Sequence, residues 1–225
     1  MSVCKYMWKT FKTRKSCKQS VCKKSAGELH FRRVFCGFKF PTLRCIIRLV
    51  KVIHEIEPVW DAGSKVLILG TMPSPASRKA GFFYMHAQNR FWQIMQNLFC
   101  EKFEFKNNAP EKELAVRERR DFLLRHNIAL WDVLSECSIS GASDSTIKEA
   151  VPNDFTRIFS GADIKQVFCT GKTAFNLYKK YCSKKYNSPF TYLPSTSPAN
   201  RARWQDRALA AEYEQIKSFL NESLT

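Results

Sequence analysis

Four short apolar runs limit what this chain can fold into. They are Val66-Leu67-Ile68-Leu69, Ile128-Ala129-Leu130-Trp131, Gln166-Val167-Phe168-Cys169 and Phe190-Thr191-Tyr192-Leu193. Each has the length of a strand, and the near-continuous apolar character of the first three is that of strands buried on both faces. The stretches around them have helical spacing. In residues 89–100, Phe91, Trp92, Met95, Leu98 and Phe99 recur at i, i+1, i+4, i+7 and i+8. Residues 111–126 form a charged helical pattern with Pro110 at its start. Residues 172–181 set Ala174, Phe175, Tyr178 and Tyr181 on one face, and residues 201–220 turn Leu209, Tyr213, Ile216 and Leu220 inward. Asn153-Asp154 offers a cap for a further helix. Strands alternating with helices predict a parallel sheet covered on both faces and joined by right-handed crossovers. The expected fold is α/β: three layers, α/β/α, around a short, mostly parallel four-stranded sheet. The loops after Leu69, Trp131, Cys169 and Leu193 then gather at one edge, where open α/β sheets bind ligands.

The 225 residues suffice for one such domain. Of the formal charge of +17, +12 falls in residues 1–50, which hold 13 Lys/Arg against one acid, Glu28. Residues 1–51 are expected to be a basic, poorly ordered N-terminal extension, although residues 42–53 have the pattern of a basic amphipathic helix. Residues 52–225 are expected to form the globular domain. The basic balance favours anionic partners such as nucleic acid, but a solvated basic tail without a partner fits almost as well. The extension suits an organelle transit peptide, a nuclear-type basic arm or a segment without a role.

The chain has nine Cys and no CxxC pair, so a zinc finger has little support and free thiols in a reducing compartment are expected. Cys169, inside an apolar run, is expected to be a small buried hydrophobe. No apolar run is long enough to span a bilayer and no secretory h-region is present. The expectation is an intracellular monomer without membrane association; nucleus, mitochondrion and bacterial-type cytoplasm all stay open. No GxxxxGK[ST] loop and no His/Asp/Glu cluster occurs, so neither a metal nor a cofactor is expected.

Three of the four loops carry recognisable motifs. The first reads Gly70-Thr71-Met72-Pro73-Ser74 and continues to Tyr84-Met85-His86-Ala87-Gln88-Asn89-Arg90-Phe91-Trp92. It resembles the GSMPG and Y-x-H-P-x-N-x-F-W elements of the hypoxanthine branch of the uracil-DNA glycosylase superfamily. Residues 128–134, ALWDVL with Ile128 before it, and residues 141–147 are similar to ALWDVL and GSLDSxI of that branch. Leu193-Pro194-Ser195-Thr196-Ser197-Pro198-Ala199-Asn200 is similar to LPSTSPAN, and Thr170-Gly171-Lys172 to NGK. Each motif is weak alone; four in order at predicted strand ends are a specific signal. The resemblance covers about residues 52–220. Ser74 departs from the usual Gly and Ala87 from the usual Pro, which puts a side chain at a close approach and loosens a loop.

The resemblance implies an uracil-DNA glycosylase-like fold and a monofunctional DNA glycosylase in base excision repair. Its substrate would be DNA containing deaminated bases, hypoxanthine (deoxyinosine) above all. Alternatives are a uracil or mismatch-specific glycosylase and a catalytically silent DNA-binding protein of the same fold. Breaking an N-glycosidic bond requires extracting the base from the stack, gripping it, positioning a water and stabilising charge. Related mismatch-uracil enzymes place their main Asn at the position of Met72, which neither donates nor accepts a strong hydrogen bond. The resemblance moves the catalytic role to Asn89, whose carbonyl would orient a water and whose NH₂ would hold the base; Asn89 equally suits a helix cap. Tyr84 is the candidate stacking face, or a core residue beside Phe82 and Phe83. Gly70, Thr71, Met72 and His86 are further base-binding candidates. Pro194, Ser195, Thr196, Ser197, Asn200, Arg201 and Lys172 are candidate DNA contacts, the serines and threonine equally a simple turn. Asp132 braces a loop or supports the chemistry. Asp144 and Ser145 are expected to shape the loop after the second strand.

Overall fold

The structure is a computed structural model and describes residues 49–140 and 144–220. Most of the expected basic extension, and residues 141–143 of the second motif, lie outside the described residues.

Among the described residues the strands are β1 Val50–Ile53, β2 Val66–Gly70, β3 Ile128–Asp132, β4 Leu134–Ile139, β5 Lys148–Pro152, β6 Gln166–Thr170 and β7 Phe190–Leu193. The helices are α1 Pro75–Ala80, α2 Phe91–Phe99, α3 Lys112–Arg125, α4 Thr156–Gly161, α5 Lys172–Tyr181, α6 Ser183–Tyr186 and α7 Asp206–Tyr213. Strands β3-β2-β6-β7 form a sheet in that order, every pair parallel. Every residue of β2, β3 and β6 is buried, as continuous apolar runs require of strands covered on both sides. The four carboxyl ends, at Gly70, Asp132, Thr170 and Leu193, lie in register along one edge.

A second sheet was not expected. Strands β1-β4-β5 pair antiparallel. Residues 138–145, expected as a polar loop, begin inside β4, where Ser138 and Ile139 are buried. Two register shifts interrupt the β4–β5 pairing, so no clean period of two shows in that sequence. Residues 50–53, read above as the end of an amphipathic helix, form β1, because pairing with residues 136–139 outweighs a weak local helical pattern. The chain passes from β3 to β4 over the end of β2: the Val133 N–H donates to Gly70 O and the Leu134 N–H to Thr71 O.

Local signals explain the remaining differences. Ser74 caps α1, a short helix within the first motif; its Oγ accepts from the Ser77 N–H at 3.2 Å, Pro75 follows at N1, and Gly81 closes the helix at φ 69°. Helix α2 begins at Phe91, not Asn89, and buries Phe91, Trp92, Ile94, Met95 and Leu98. Each such side chain contributes about 1.5–3 kcal/mol on burial, so this one face anchors the helix. The N-cap of α4 is Phe155, one residue beyond the expected Asn153-Asp154 pair, and Asp154 accepts from the Thr156 N–H at 3.0 Å in the turn that leads into the helix. The expected helix over 201–220 is shorter: α7 covers Asp206–Tyr213, and a 3₁₀ stretch continues over Glu214–Phe219. Leu209, Tyr213 and Ile216 are buried as expected, whereas Tyr181 of α5 is exposed. Cys169 is fully buried and its thiol is pushed up by burial, consistent with a small hydrophobe. No helix among the described residues is long and apolar enough to cross a membrane.

Candidate active site

The carboxyl edge of the parallel sheet opens into a cavity of about 380 Å³. The loop after β2 contributes Gly70, Thr71 and Met72, and the segment after α1 contributes Tyr84 and Asn89. Asp132 enters from the end of β3 and Thr170 from β6; Lys172 stands at the start of α5, with Ser195, Thr196, Ser197 and Asn200 beyond β7. Eleven of the fourteen residues singled out from the sequence therefore meet at one place. The other three do not line it. His86 is exposed, and its Nδ1 accepts from the Gln88 N–H at 3.2 Å, closing a turn. Pro194 is buried, and its carbonyl accepts from the Tyr213 hydroxyl at 2.9 Å. Arg201 lines a neighbouring cavity on the other side of Asn89.

Asn89 sits at the entry to α2. Its Oδ1 accepts from the Phe91 N–H and from the Thr196 hydroxyl, both at 2.9 Å. A backbone N–H only donates, so the atom facing it is the oxygen and the NH₂ is free of that contact. Both lone pairs of the carbonyl are thus engaged. Asn89 therefore offers its NH₂ as a donor, and Nδ2 has no hydrogen-bond partner among the described residues. Capping and a role in the cavity are combined in one side chain. The segment is tied down from both sides, since the Arg90 N–H donates to Thr196 O and the Arg90 guanidinium to Trp204 O and Asp206.

Tyr84 adopts a left-handed backbone, φ 56°, a strained conformation for a bulky residue. One ring face stacks on Phe91, with centroids 4.1 Å apart, while Phe82 and Phe83 pack against each other. The Thr170 hydroxyl spends its proton on Leu69 O at 3.2 Å, so the Tyr84 hydroxyl is the donor in their 2.7 Å contact. Burial, with the Asp132 charge, pushes the Tyr84 phenol well up.

Gly70 has a plain reason to be glycine. A Cβ there would lie 2.2 Å from Asp132 Oδ1 and 3.0 Å from the Tyr84 hydroxyl. Asp132 is held from behind by His54: Nε2 and Oδ2 are 2.9 Å apart, with both side chains almost fully buried. The Ile56 N–H donates to His54 Nδ1, so the ring proton resides on Nε2 and is given to the carboxylate. This holds the Asp132 carboxyl group in place over Gly70. Asp144 reaches the same cavity from the 3₁₀ turn Asp144–Thr146. Burial and the Asp132 charge hold its carboxyl above the usual carboxylate range, with the Thr71 hydroxyl opposing.

Several residues here were invisible to sequence reasoning. His54 is 78 positions from Asp132, and no local pattern joins them. Asn107 donates to Tyr84 O and His86 O at 3.4 Å, and Arg119 in turn donates to Asn107 Oδ1 and Phe105 O. Arg119 is 1 % exposed and lies over the Trp92 and Phe103 rings. A buried arginine among charged helical residues looks like surface in a sequence; no signal separates it from Arg117 or Arg120. The departure at Ser74 is accounted for by its cap on α1. Asn200, a candidate DNA contact, uses its amide to hold Ser195 O at 2.9 Å and so braces the loop. Among the described residues no three His, Cys, Asp or Glu side chains group as metal ligands.

A parallel α/β sheet with a polar cavity at its switch-point edge, lined by an oriented amide and two carboxylates, defines a hydrolase-like binding site of the doubly wound class. A family model described as the uracil DNA glycosylase superfamily matches residues 58–222. The chain belongs to that superfamily and is a DNA glycosylase. Two curated relatives, both called hypoxanthine DNA glycosylase, are similar to it. The protein of Methanosarcina acetivorans is 30% identical over 160 residues, 70% of this chain and 93% of the relative. That of Methanosarcina barkeri is 28% identical over 151 residues, 67% and 89% respectively. A solution NMR structure from Methanosarcina acetivorans, assigned as a candidate uracil DNA glycosylase, superposes with a TM-score of 0.60. It is 25% identical and covers 74% of this chain and 96% of its own.

Proposed function

We propose that this enzyme releases hypoxanthine from deoxyinosine in DNA by hydrolysis, without cutting the strand. The observation that carries the reading is Asn89: its amide is clamped by the Phe91 N–H and Thr196, and its NH₂ is left unpaired beside the cavity. A fixed donor acts by positioning and by electrostatics, since an amide cannot take the proton as a general base. Asn89 holds an acceptor edge of the flipped base, and the Asp132 carboxyl group accepts a hydrogen bond from the attacking water. Tyr84 and the Gly70-Thr71-Met72 backbone form the slot that receives the base. Ser195, Ser197 and Lys172 stand where phosphates of the flipped nucleotide pass, and phosphate contacts fix register. Lys172 is exposed at the rim and lacks the apolar enclosure that a Schiff-base lysine requires, which supports base removal alone.

Two features support hypoxanthine over uracil. By the motif resemblance Met72 falls where uracil-releasing enzymes of the superfamily carry their amide, and both curated relatives are called hypoxanthine DNA glycosylases. The test is base release from duplexes containing one deoxyinosine or one deoxyuridine. The expected result is abasic product from deoxyinosine. Release of uracil alone would replace the substrate, and no release of any deaminated base would leave a DNA-binding protein of this fold.

A further inference from the structure

We infer that Asp144 is the acid that protonates the departing base. The inference rests on the reading of this site as one that releases hypoxanthine. A uracil leaves as a stabilised N1 anion. A purine bound through N9 leaves poorly as an anion and readily once N7 of its imidazole ring has gained a proton. A site built for hypoxanthine is therefore served by a proton donor that a uracil site does without.

Asp144 has the placement and the chemistry for this. It lines the same cavity as Asn89, Tyr84 and Asp132, arriving from the separate turn between β4 and β5. The two carboxyl groups of the cavity have different partners. Asp132 accepts a hydrogen bond from the His54 Nε2–H. Asp144 has the Thr71 hydroxyl instead; burial and the Asp132 charge favour its neutral acid, and the Thr71 hydroxyl opposes them. Burial acts most strongly on Asp144, the Thr71 hydroxyl opposes it and the Asp132 charge adds to it. Cys137 of β4 and Tyr84 feel the Asp144 charge in turn, and Arg78 of α1 and Lys172 of α5 line the same cavity. Arg78 and Lys172 favour the anion, but Lys172 is exposed and Arg78 donates to Pro73 O.

The step balances. The C1′–N9 bond breaks and its electron pair stays with the base, while the Asp144 proton moves to N7. Hypoxanthine departs neutral and leaves an oxocarbenium sugar, stabilised by the Asp132 carboxyl group. Water adds at C1′, and its surplus proton returns to Asp144.

The experiment measures single-turnover base release against pH for duplexes containing deoxyinosine or 7-deaza-2′-deoxyinosine, which has no N7 acceptor. For the wild type on deoxyinosine, the rate is expected to fall as pH rises through the titration of Asp144. Asp144→Asn is expected to remove that limb and slow release by about 10²-fold or more. Asp144→Glu restores part of it. On the 7-deaza substrate the wild type is expected to be slow and without the limb, a comparison that needs no variant to fold. Equal wild-type rates on both substrates, or an Asp144→Asn protein that keeps the rate and the limb, overturns the inference alone. A wild type that releases no hypoxanthine at any pH overturns the proposed function and the inference with it.

Discussion

At the scale of single residues, the site works by taking options away from its side chains. Asn89 keeps its NH₂ free because Phe91 and Thr196 have claimed its oxygen. Thr196→Val retains the shape and removes one of those claims. The amide then gains rotational freedom, and single-turnover base release is expected to fall about tenfold while DNA affinity holds, since a net hydrogen bond is worth about 1 kcal/mol. Asp144 carries a second prediction, on stability. Its folded-state carboxyl titrates above the ordinary value, so the folded protein binds a proton more readily than the unfolded chain. Stability is then lost as pH rises from the ordinary carboxylate range through the folded value. Thermal melting is expected to show Asp144→Asn above wild type at neutral pH, and this advantage disappearing in acid below the ordinary carboxylate range. A variant less stable than wild type at neutral pH contradicts the assignment.

At the scale of elements, the strand-to-helix loops were legible and their supports were not. Strands β2, β3, β6 and β7 follow from apolar runs because burial on both faces leaves no other composition open to them. Loop positions follow from the strands, and within those loops it is the motif resemblance that points to Asn89, Tyr84 and Ser195. Strands β1, β4 and β5 escaped because pairing across long separations and two register shifts hide the alternation that marks an edge sheet. His86 shows how a motif position can carry a local role as well, since its ring accepts from the Gln88 N–H. The same limit applies to Arg119 and Asn107, which brace the Tyr84–His86 backbone from α3 and the loop before it. Replacing Arg119 by Met leaves Phe105 O, Ala115 O and Asn107 without their buried donor. The cost expected from chemical denaturation is about 2–4 kcal/mol. Asn107→Ala, which breaks only the link to the loop, is expected to lower turnover more than stability. Equal, small effects of both variants on turnover contradict the brace.

At the scale of the whole molecule, charge and chemistry are divided along the chain. The cavity is built entirely within residues 70–200, whereas +12 of the +17 formal charge is carried by residues 1–50. Counterion release makes such a segment a sequence-independent aid to DNA binding. Replacing its Lys and Arg by Gln is expected to flatten the dependence of DNA affinity on salt and leave the single-turnover rate at saturating DNA unchanged. An unaltered salt slope shows that the segment does not engage DNA. The proposed chemistry depends on one amide at one helix entry. The most direct test compares single-turnover hypoxanthine release from a deoxyinosine duplex by the wild type and by Asn89→Ala, with DNA binding measured alongside. The account predicts release by the wild type, a loss of about 10²–10³-fold in the variant, and unchanged binding. An Asn89→Ala protein that releases hypoxanthine at the wild-type rate contradicts it.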